Sequence, residues 1–235
     1  MKNFSIAMAV FNGAKYIDQQ IQSIIPQLKL DDELVISYDL STDSTLDIIK
    51  SYAANDSRIK IFINENPGLF NNFENALRNC KNDYIFISDQ DDIWKKNKCQ
   101  LILSKFESEN VDMLIHNGIH FNEVTKEISE DFFTIYGIKK GLINNFLKPR
   151  YSGCCMAFKK ELLTKMLPIP ATIGGYDHWL GMIGEVYGNL LFIDDVLIEH
   201  RLHNSNFTPT SRRSLSEIAK ARTSLIIELA KRKNK

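Results

Sequence analysis

The chain has 235 residues, of which 44% are hydrophobic and 25% charged, and its 29 basic and 29 acidic residues give a formal net charge of zero. This length suits one catalytic-size domain, and the composition excludes disordered and fibrous proteins. Residues 212–235 hold eight Lys or Arg and two Glu, a charge of +6, so the rest of the chain carries −6. An acidic body of this kind is not expected to bind nucleic acid.

The cysteines and the amino terminus bear on the cellular compartment. Cys80, Cys99, Cys154 and Cys155 show no CxxC spacing, which disfavours a zinc knuckle or a disulfide framework. The opening apolar run is too short for a signal peptide, and no apolar run reaches 18 residues. We therefore expect a cytoplasmic protein with reduced thiols and no membrane span.

The first 120 residues alternate short apolar runs with amphipathic segments, which is typical of an α/β fold with a mostly parallel central sheet and helices on both faces. The apolar runs predict strands, and the amphipathic segments predict helices. The strands are expected at 4–11, 33–38, 59–64, 83–88 and 111–117, and the helices at 16–25, 44–54, 70–79 and 95–108.

The alternation weakens after residue 120. A strand is predicted at 152–158, followed by helices at 160–167 and from Asp177, then by two extended segments, 188–194 and 196–203, separated by a turn at Asp195. We divide the chain into a catalytic domain, 1–208, with halves of about 1–120 and 121–208, and a basic amphipathic helix within 209–235.

Residues 87–94, ISDQDDIW, place Asp89, Asp91 and Asp92 directly after a predicted buried strand. Ligands of open α/β sheets bind at the carboxyl ends of strands, and two nearby carboxylates can both reach a hard divalent cation. The alternative is a solvated acidic turn. Ile93 and Trp94 favour the cation site because apolar residues would pin this loop against the body.

Several motifs together resemble the family 2 glycosyltransferases of bacterial surface polysaccharide synthesis, which have a GT-A fold. They are AVFNGAKYIDQQIQSI (9–24), STDST (41–45), NDYIFISDQDDIW (82–94) and YDHWL (176–180), and the resemblance covers about residues 3–205. SGCCMAF (152–158) and HRLHNSN (200–206) are most similar to the branch that contains rhamnosyltransferases. The resemblance makes 1–120 the nucleotide-sugar half and 121–208 the acceptor half.

The resemblance implies a reaction and its cofactor. A sugar from dTDP-rhamnose or a UDP-hexose would pass, with inversion, to a hydroxyl of a surface polysaccharide or lipid-linked glycan, helped by Mn²⁺ or Mg²⁺. It assigns Asp91 to the metal, His203 as a further metal ligand, Asp89 to the donor sugar or ribose, and Asp92 to support. For His203 the alternative is an ordinary packed or hydrogen-bonded histidine.

The resemblance makes Asp177 the catalytic base, because this family places its catalytic acid at the start of a helix. Gly174 and Gly175 would let that loop move. A carboxylate within hydrogen-bond reach can take the proton from an attacking hydroxyl. The alternative is that Asp177 only caps the helix that carries Trp179, which we count as a supporting residue.

The nucleotide is expected over the ends of the first two strands, against Ala9 to Phe11, Asn12 and Asp39, with Arg201 on phosphate oxygens. One motif departs from the family. The usual Asp-Asp-Gly-Ser is here Tyr38-Asp39-Leu40-Ser41, which loses an acid and a glycine. This departure supports a rival hypothesis, a catalytically degenerate sugar-nucleotide-binding module of a larger assembly. A nucleotidyltransferase is a weaker rival, because FNGAKY (11–16) lacks a glycine-rich basic loop.

The basic carboxyl-terminal segment has apolar residues at helical spacing, namely Leu215, Ile218, Leu225 and Leu229. Three roles stay open for it. The helix could pack on the body, pair with a second copy of the chain as a homodimer, or lie as a peripheral contact on the inner face of an anionic membrane.

Overall fold

The computed structural model describes residues 2–203 and 214–233, and the statements below concern that part of the chain. It contains nine strands and nine α-helices. The strands are β1 Phe4–Val10, β2 Glu33–Tyr38, β3 Ile59–Ile63, β4 Tyr84–Ser88, β5 Ile93–Trp94, β6 Met113–Asn122, β7 Ile128–Asp131, β8 Met156–Lys159 and β9 Leu190–Leu202. The helices are α1 Ile17–Ile24, α2 Thr45–Asn55, α3 Leu69–Asn79, α4 Lys98–Ser108, α5 Phe132–Tyr136, α6 Leu142–Leu147, α7 Leu163–Met166, α8 Tyr176–Tyr187 and α9 Leu215–Arg232.

All strands belong to one sheet of order β3-β2-β1-β4-β8-β6-β9-β5, with β7 paired to β6. Strands β3, β2, β1 and β4 are mutually parallel. Every residue of β1, β2 and β4 is buried, because helices cover both faces of this parallel block. The predicted α/β sandwich with a mostly parallel sheet is confirmed.

The second half of the sheet differs from the sequence prediction in several places. In the strand predicted at 152–158, residues Gly153–Cys155 form a 3-10 helix, and β8 begins only at Met156. The strand predicted at 111–117 does not lie beside the parallel block, because β8 is inserted antiparallel to both β4 and β6. The turn predicted at Asp195 is wrong. Strand β9 runs through it, and Ile193 and Val196 pair with the consecutive residues His116 and Asn117, so Asp194 and Asp195 form a bulge.

The carboxyl-terminal helix α9 packs on the body through its second half. Leu225 is buried, and the buried guanidinium of Arg232 donates to the carbonyl oxygens of Lys165 (2.9 Å) and Pro168 (2.8 Å). Residues 214–220, by contrast, are exposed on every side. Among the described helices, α9 included, none combines the length and apolarity needed to cross a bilayer.

Candidate active site

The carboxyl ends of β1, β2 and β4 meet at one edge of the sheet, since β1 is parallel to both of its neighbours. Asp39 and Asp89 directly follow β2 and β4, and Asn12 lies two residues beyond the end of β1. The structure therefore brings together the polar side chains that the sequence places after separate strands. Ala9 lies in β1 opposite Ser37 of β2, so its backbone forms part of the floor beneath this edge.

Gln90 ties the acidic loop to the end of β1. Its side-chain oxygen accepts from the Phe11 N–H (2.9 Å), and its side-chain amide donates to the Phe11 carbonyl (2.8 Å). A Cβ on Gly13 would lie 2.4 Å from the Gln90 Oε1 atom, so glycine is needed for this approach. The predicted nucleotide contact through the Phe11 backbone must therefore share these groups with Gln90. Sequence reasoning missed Gln90, although its position between two acids was visible.

Asn12 holds the loops after β1 and β2 together. Its φ of 46° is left-handed, a conformation that asparagine tolerates better than most residues. Its side-chain oxygen accepts from the Thr42 N–H (2.9 Å), and its own N–H donates to Ser41 Oγ (2.9 Å). Asn12 therefore shapes the predicted nucleotide-binding edge.

Asp39 is buried and uses both carboxylate oxygens within the protein. Oδ1 accepts from Asn64 Nδ2 (2.6 Å) and Oδ2 accepts from the Gly68 N–H (2.9 Å). Each oxygen keeps a second lone pair for a ribose or base donor. Leu40 is 71% exposed and is not among the described residues with positive φ. The motif that departs from the family pattern thus adopts a backbone conformation that needs no glycine.

The acidic loop concentrates charge in a poorly solvated place. Burial, followed by the neighbouring carboxylates, raises the pKa of Asp89 and that of Asp92 well above the usual value of an aspartate. Asp92 is fully buried; its Oδ1 accepts from the Arg201 N–H (3.2 Å), whereas its Oδ2 has no hydrogen-bond partner among the described residues. A cation at this loop would relieve both the repulsion and the unsatisfied oxygen.

Asp91 and His203 meet beside this loop. The Nε2 atom of His203 lies 2.8 Å from Asp91 Oδ2, and its ring stacks on Tyr16 with centroids 4.5 Å apart. Two ligands of one octahedral Mn²⁺ or Mg²⁺ lie roughly 3 Å apart when metal–ligand bonds are about 2.1 Å long. The oxygen and nitrogen donors fit such a cation in type and spacing.

Three groups, two carboxylates and one thiol, form a second cluster of potential ligands in this region. Ligand-type atoms of Asp89, Asp92 and Cys154 lie within 4.8 Å of one another. Cys154 and Cys155 are free and buried, as expected of small core residues. This cluster includes neither Asp91 nor His203, the two predicted metal ligands.

Arg201 fixes the loop from within. It is 1% exposed, and its guanidinium donates to the Asp91 carbonyl (3.0 Å), Glu123 Oε1 (2.7 Å) and Gln19 Oε1 (2.6 Å). These bonds engage Nε and both terminal nitrogens within the protein. The geometry favours a positioning role for Arg201, and its contact with donor phosphate stays a prediction.

Asp177 is the second residue of α8, and its Oδ1 accepts from the His178 N–H (2.7 Å). The Asp177 charge also contributes to the raised pKa of Asp89, so the two carboxylates are near enough to interact electrostatically. The N-cap of α8 is Gly175, without a side-chain cap hydrogen bond, so the alternative that Asp177 caps this helix is wrong, and its role as the base stays a prediction. Trp179 lies in the core instead, where its indole N–H donates to the Met166 carbonyl (2.7 Å) and supports α8 from beneath.

A histidine pair on the acceptor side was missed by sequence reasoning. Nδ1 atoms of His120 and His200 lie 3.1 Å apart, and the other nitrogen of His120 contacts the Tyr136 hydroxyl. Burial, and then the neighbouring His200, lowers the pKa of His120 to about 4. His200 in turn lowers the pKa of Asp89, which places the pair beside the acids. No local sequence motif predicts this pair, because His120 in β6 and His200 in β9 are 80 residues apart in the chain.

Comparison with known proteins gives the chain a family context. Residues 5–167 match glycosyl transferase family 2. The dTDP-rhamnosyl transferase RfbG of Shigella flexneri is 33% identical over 168 residues, which are 66% of this chain and 55% of RfbG. The putative teichuronic acid biosynthesis glycosyltransferase TuaG of Bacillus subtilis is 33% identical over 210 residues, 87% of this chain and 81% of TuaG. The chain thus spans little more than half the length of RfbG.

Solved structures share the fold at low sequence identity. S. aureus TarS 1–349, crystallised with UDP-GlcNAc, superposes with a TM-score of 0.76 at 18% identity and covers 99% of this chain and 69% of that one. Glucosyl-3-phosphoglycerate synthase from Mycobacterium tuberculosis, crystallised with Mn²⁺, UDP and phosphoglyceric acid, has a TM-score of 0.58, also at 18% identity, and covers 98% of this chain and 78% of that one. The fold is GT-A, as predicted.

Proposed function

The chain belongs to glycosyl transferase family 2, and on that premise we propose that it transfers a sugar, with inversion, from a nucleotide diphosphate sugar to a hydroxyl of a bacterial surface polysaccharide or lipid-linked glycan. The donors that best fit the relatives are dTDP-rhamnose, by similarity to RfbG, and a UDP-hexose. The observation that supports the proposal is the contact between Asp91 and His203 in the acidic loop that follows β4, whose Asp89 interacts electrostatically with Asp177.

We assign the divalent cation to Asp91 and His203, with Asp89 and Asp92 on its inner side. Bound there, Mn²⁺ or Mg²⁺ would neutralise the charge that develops on the departing nucleoside diphosphate. The crystals of the M. tuberculosis synthase with UDP and either Mn²⁺ or Mg²⁺ support a divalent cation in this role. The donor set of this chain, one carboxylate and one imidazole with further carboxylates close by, suits either ion.

The nucleotide would lie across the ends of β1 and β2. Asp39 offers its remaining lone pairs to the base or ribose, and the loops held by Asn12 and Gln90 set the width of this edge. Phe11 is 52% exposed there and presents an aromatic face to a base. Asp89 then faces the ribose or the donor sugar.

The chemical step needs one proton acceptor. The Asp177 carboxylate removes the proton of the acceptor hydroxyl while the hydroxyl oxygen forms a bond to the anomeric carbon and the bond to the diphosphate oxygen breaks. Attack from the face opposite the leaving group inverts the configuration. The electron pair of the broken bond leaves on the nucleoside diphosphate.

A catalytically degenerate binding module is the alternative function. Its support is the Tyr38-Asp39-Leu40-Ser41 departure from the family motif. The unstrained backbone at Leu40 and the retained Asp91 and Asp177 favour an enzyme.

A transfer assay separates the two functions. Purified protein is incubated with radiolabelled dTDP-rhamnose or UDP-glucose, Mn²⁺ and a lipid extract of bacterial membranes, beside Asp177→Asn. We expect label in the lipid fraction with the native chain and none with the variant. Donor binding without label transfer to any acceptor would favour the degenerate module.

We propose a cytoplasmic location, in keeping with four free cysteines in the described structure. For α9, the exposed turn at 214–220 is the part that a membrane or a second copy of the chain could contact. Ile218→Ser is the variant that tests this contact, because truncation of α9 would remove the buried Leu225 and uncover the core.

A further inference from the structure

The segment 132–150 combines exposed apolar side chains with positive charge. It contains Lys139, Lys140, Lys148 and Arg150 and no acidic residue. Within it, α6 exposes Leu142 (44%), Ile143 (74%) and Leu147 (65%). We call the apolar residues of α6 and the three lysines beside them, which are also exposed, the α6 patch: Leu142, Ile143, Leu147, Lys139, Lys140 and Lys148.

The outward apolar face of α6 is fixed by polar bonds on its inner face. Asn145 is 1% exposed; its side-chain amide donates to the Lys139 carbonyl (3.0 Å) and to Glu185 Oε1 (2.7 Å). Glu185 also accepts from the Gly141 N–H (3.1 Å). The Glu185 carboxylate therefore lies beneath α6, on the side away from its exposed apolar residues. The apolar side chains stay outside because the buried amide prevents the helix from rolling over.

The α6 patch lies next to the acceptor side of the proposed site. The Asn145 carbonyl is 3.0 Å from Nε2 of His178, which directly follows Asp177 in α8. Arg222 of α9 approaches the Leu147 carbonyl (3.3 Å), so the exposed first turns of α9, with Ile218 and Lys220, adjoin α6. A partner bound to the α6 patch would thus lie at the side of the molecule where the proposed acceptor enters.

We propose that the α6 patch is a docking surface for an anionic lipid bilayer, which brings a lipid-anchored acceptor to Asp177. Exposed aliphatic side chains flanked by lysines are the chemistry of an interfacial contact, because apolar groups enter the headgroup region while lysines pair with anionic lipids. Charge complementarity thus selects this occupant. That the bilayer carries the acceptor rests on the proposed function; the docking itself does not.

Vesicle co-sedimentation tests the proposal. We expect the full chain to bind vesicles of phosphatidylglycerol and phosphatidylcholine, to bind pure phosphatidylcholine at least tenfold less, and to lose binding as salt rises. Ile143→Ser combined with Leu147→Ser should reduce binding at least tenfold. The matched control is Leu30→Ser with Val124→Ser, whose side chains are 87% and 89% exposed elsewhere and whose loss should change nothing.

Replacement of Lys139, Lys140 and Lys148 by Gln should reduce binding to anionic vesicles, and the same change at the exposed Lys50, Lys60 and Lys126 should not. Equal vesicle binding by the α6 variants and their controls would overturn the proposal. So would light scattering that shows a dimer abolished by the Ile143 and Leu147 changes, because the occupant would then be a second copy. Vesicle binding together with a failure of UDP and dTDP to bind would support the α6 patch and refute the donor assignment instead.

Discussion

The proposed nucleotide side and the proposed acceptor side of this site hold their functional groups by different means. On the nucleotide side, short loops follow parallel strands, and side chains such as Gln90 and Asn12 fasten those loops to neighbouring backbone. On the acceptor side, the groups come from the long pair β6 and β9 and from the start of α8, and imidazoles such as His120 and His200 contact each other. Both arrangements join residues that are distant in the chain, 79 residues apart for Gln90 and Phe11 and 80 for His120 and His200. The first fastens loops at the ends of parallel strands, whereas the second lies between two paired strands.

This difference has a functional meaning. A nucleotide is common to many donors, so an edge whose loops are fastened to each other would suit the proposed nucleotide site. The acceptor side includes segment 132–150, in which two short helices expose apolar residues. Variation in these loops can change the acceptor without disturbing the sheet.

The largest effect is expected where the two sides meet. Asp91→Asn removes a proposed metal ligand and replaces the carboxylate that contacts His203. We expect transfer to fall by about 10³-fold or more, because electrostatic stabilisation of the leaving group is usually the largest catalytic contribution. Steady-state transfer assays measure this. Asp31→Asn, on the opposite end of the strands, is the control, and full activity of Asp91→Asn would exclude Asp91 as a metal ligand.

Asp177→Asn separates the two sides functionally. The amide keeps the shape and can still accept from the His178 N–H, but it cannot take a proton. We expect kcat to fall about 10²- to 10⁴-fold with donor affinity unchanged, as for loss of a general base. Transfer rates and calorimetric binding on the same sample check this. Loss of donor binding would mean that Asp177 has a structural role.

Gly13→Ala tests how tightly the nucleotide side is built. The added Cβ would meet Gln90 Oε1 at 2.4 Å and push the amide away from the Phe11 backbone. We expect a loss of about 1–2 kcal/mol in stability, the usual cost of overpacking. Chemical denaturation measures it. Because the clash is with a side chain, Gly13→Ala combined with Gln90→Ala should cost less than the sum of the single changes, and strict additivity would refute the Gln90 contact.

The acceptor side should show its own pH dependence. His120 has a pKa lowered to about 4, chiefly by burial, so the folded state holds it neutral. The pKa of this histidine in the unfolded chain is near 6.5. As the pH falls below that value, the unfolded chain binds a proton that the folded chain does not, so stability decreases until the pH reaches the folded pKa. We expect the stability to decrease by about 1 kcal/mol, a value reduced because His120 is partly exposed to solvent. Chemical denaturation of the native chain and of His120→Gln, each at pH 7 and at pH 5, measures this loss of stability. If both proteins lost the same stability between pH 7 and pH 5, the account would be contradicted.

The sequence predicts the nucleotide side better than the acceptor side for a physical reason. Strands β1, β2 and β4 are buried on both faces, so their sequences are mostly apolar runs. Such runs can be recognised from the local sequence alone. The insertion of β8 and the bulge at Asp194 and Asp195 depend on pairing between distant segments, which no local pattern encodes.

The same contrast applies to the site residues. The acids of ISDQDDIW stand out because charge directly after a buried strand is costly without a function. His203 was found only through its family motif, and the structure brings it to Asp91 across 112 residues of chain. His120 and His200 carry no such motif, and their pairing follows from the register of β6 with β9.

Calorimetric titration of the native chain with UDP and with dTDP, each in Mn²⁺ and in EDTA, tests the central claim most directly. We predict that one of the two nucleotides binds, that binding requires Mn²⁺, and that Asp91→Asn abolishes the Mn²⁺ dependence. Equal affinity in Mn²⁺ and in EDTA would contradict the account, because the meeting of Asp91 and His203 would then hold no cation for a diphosphate.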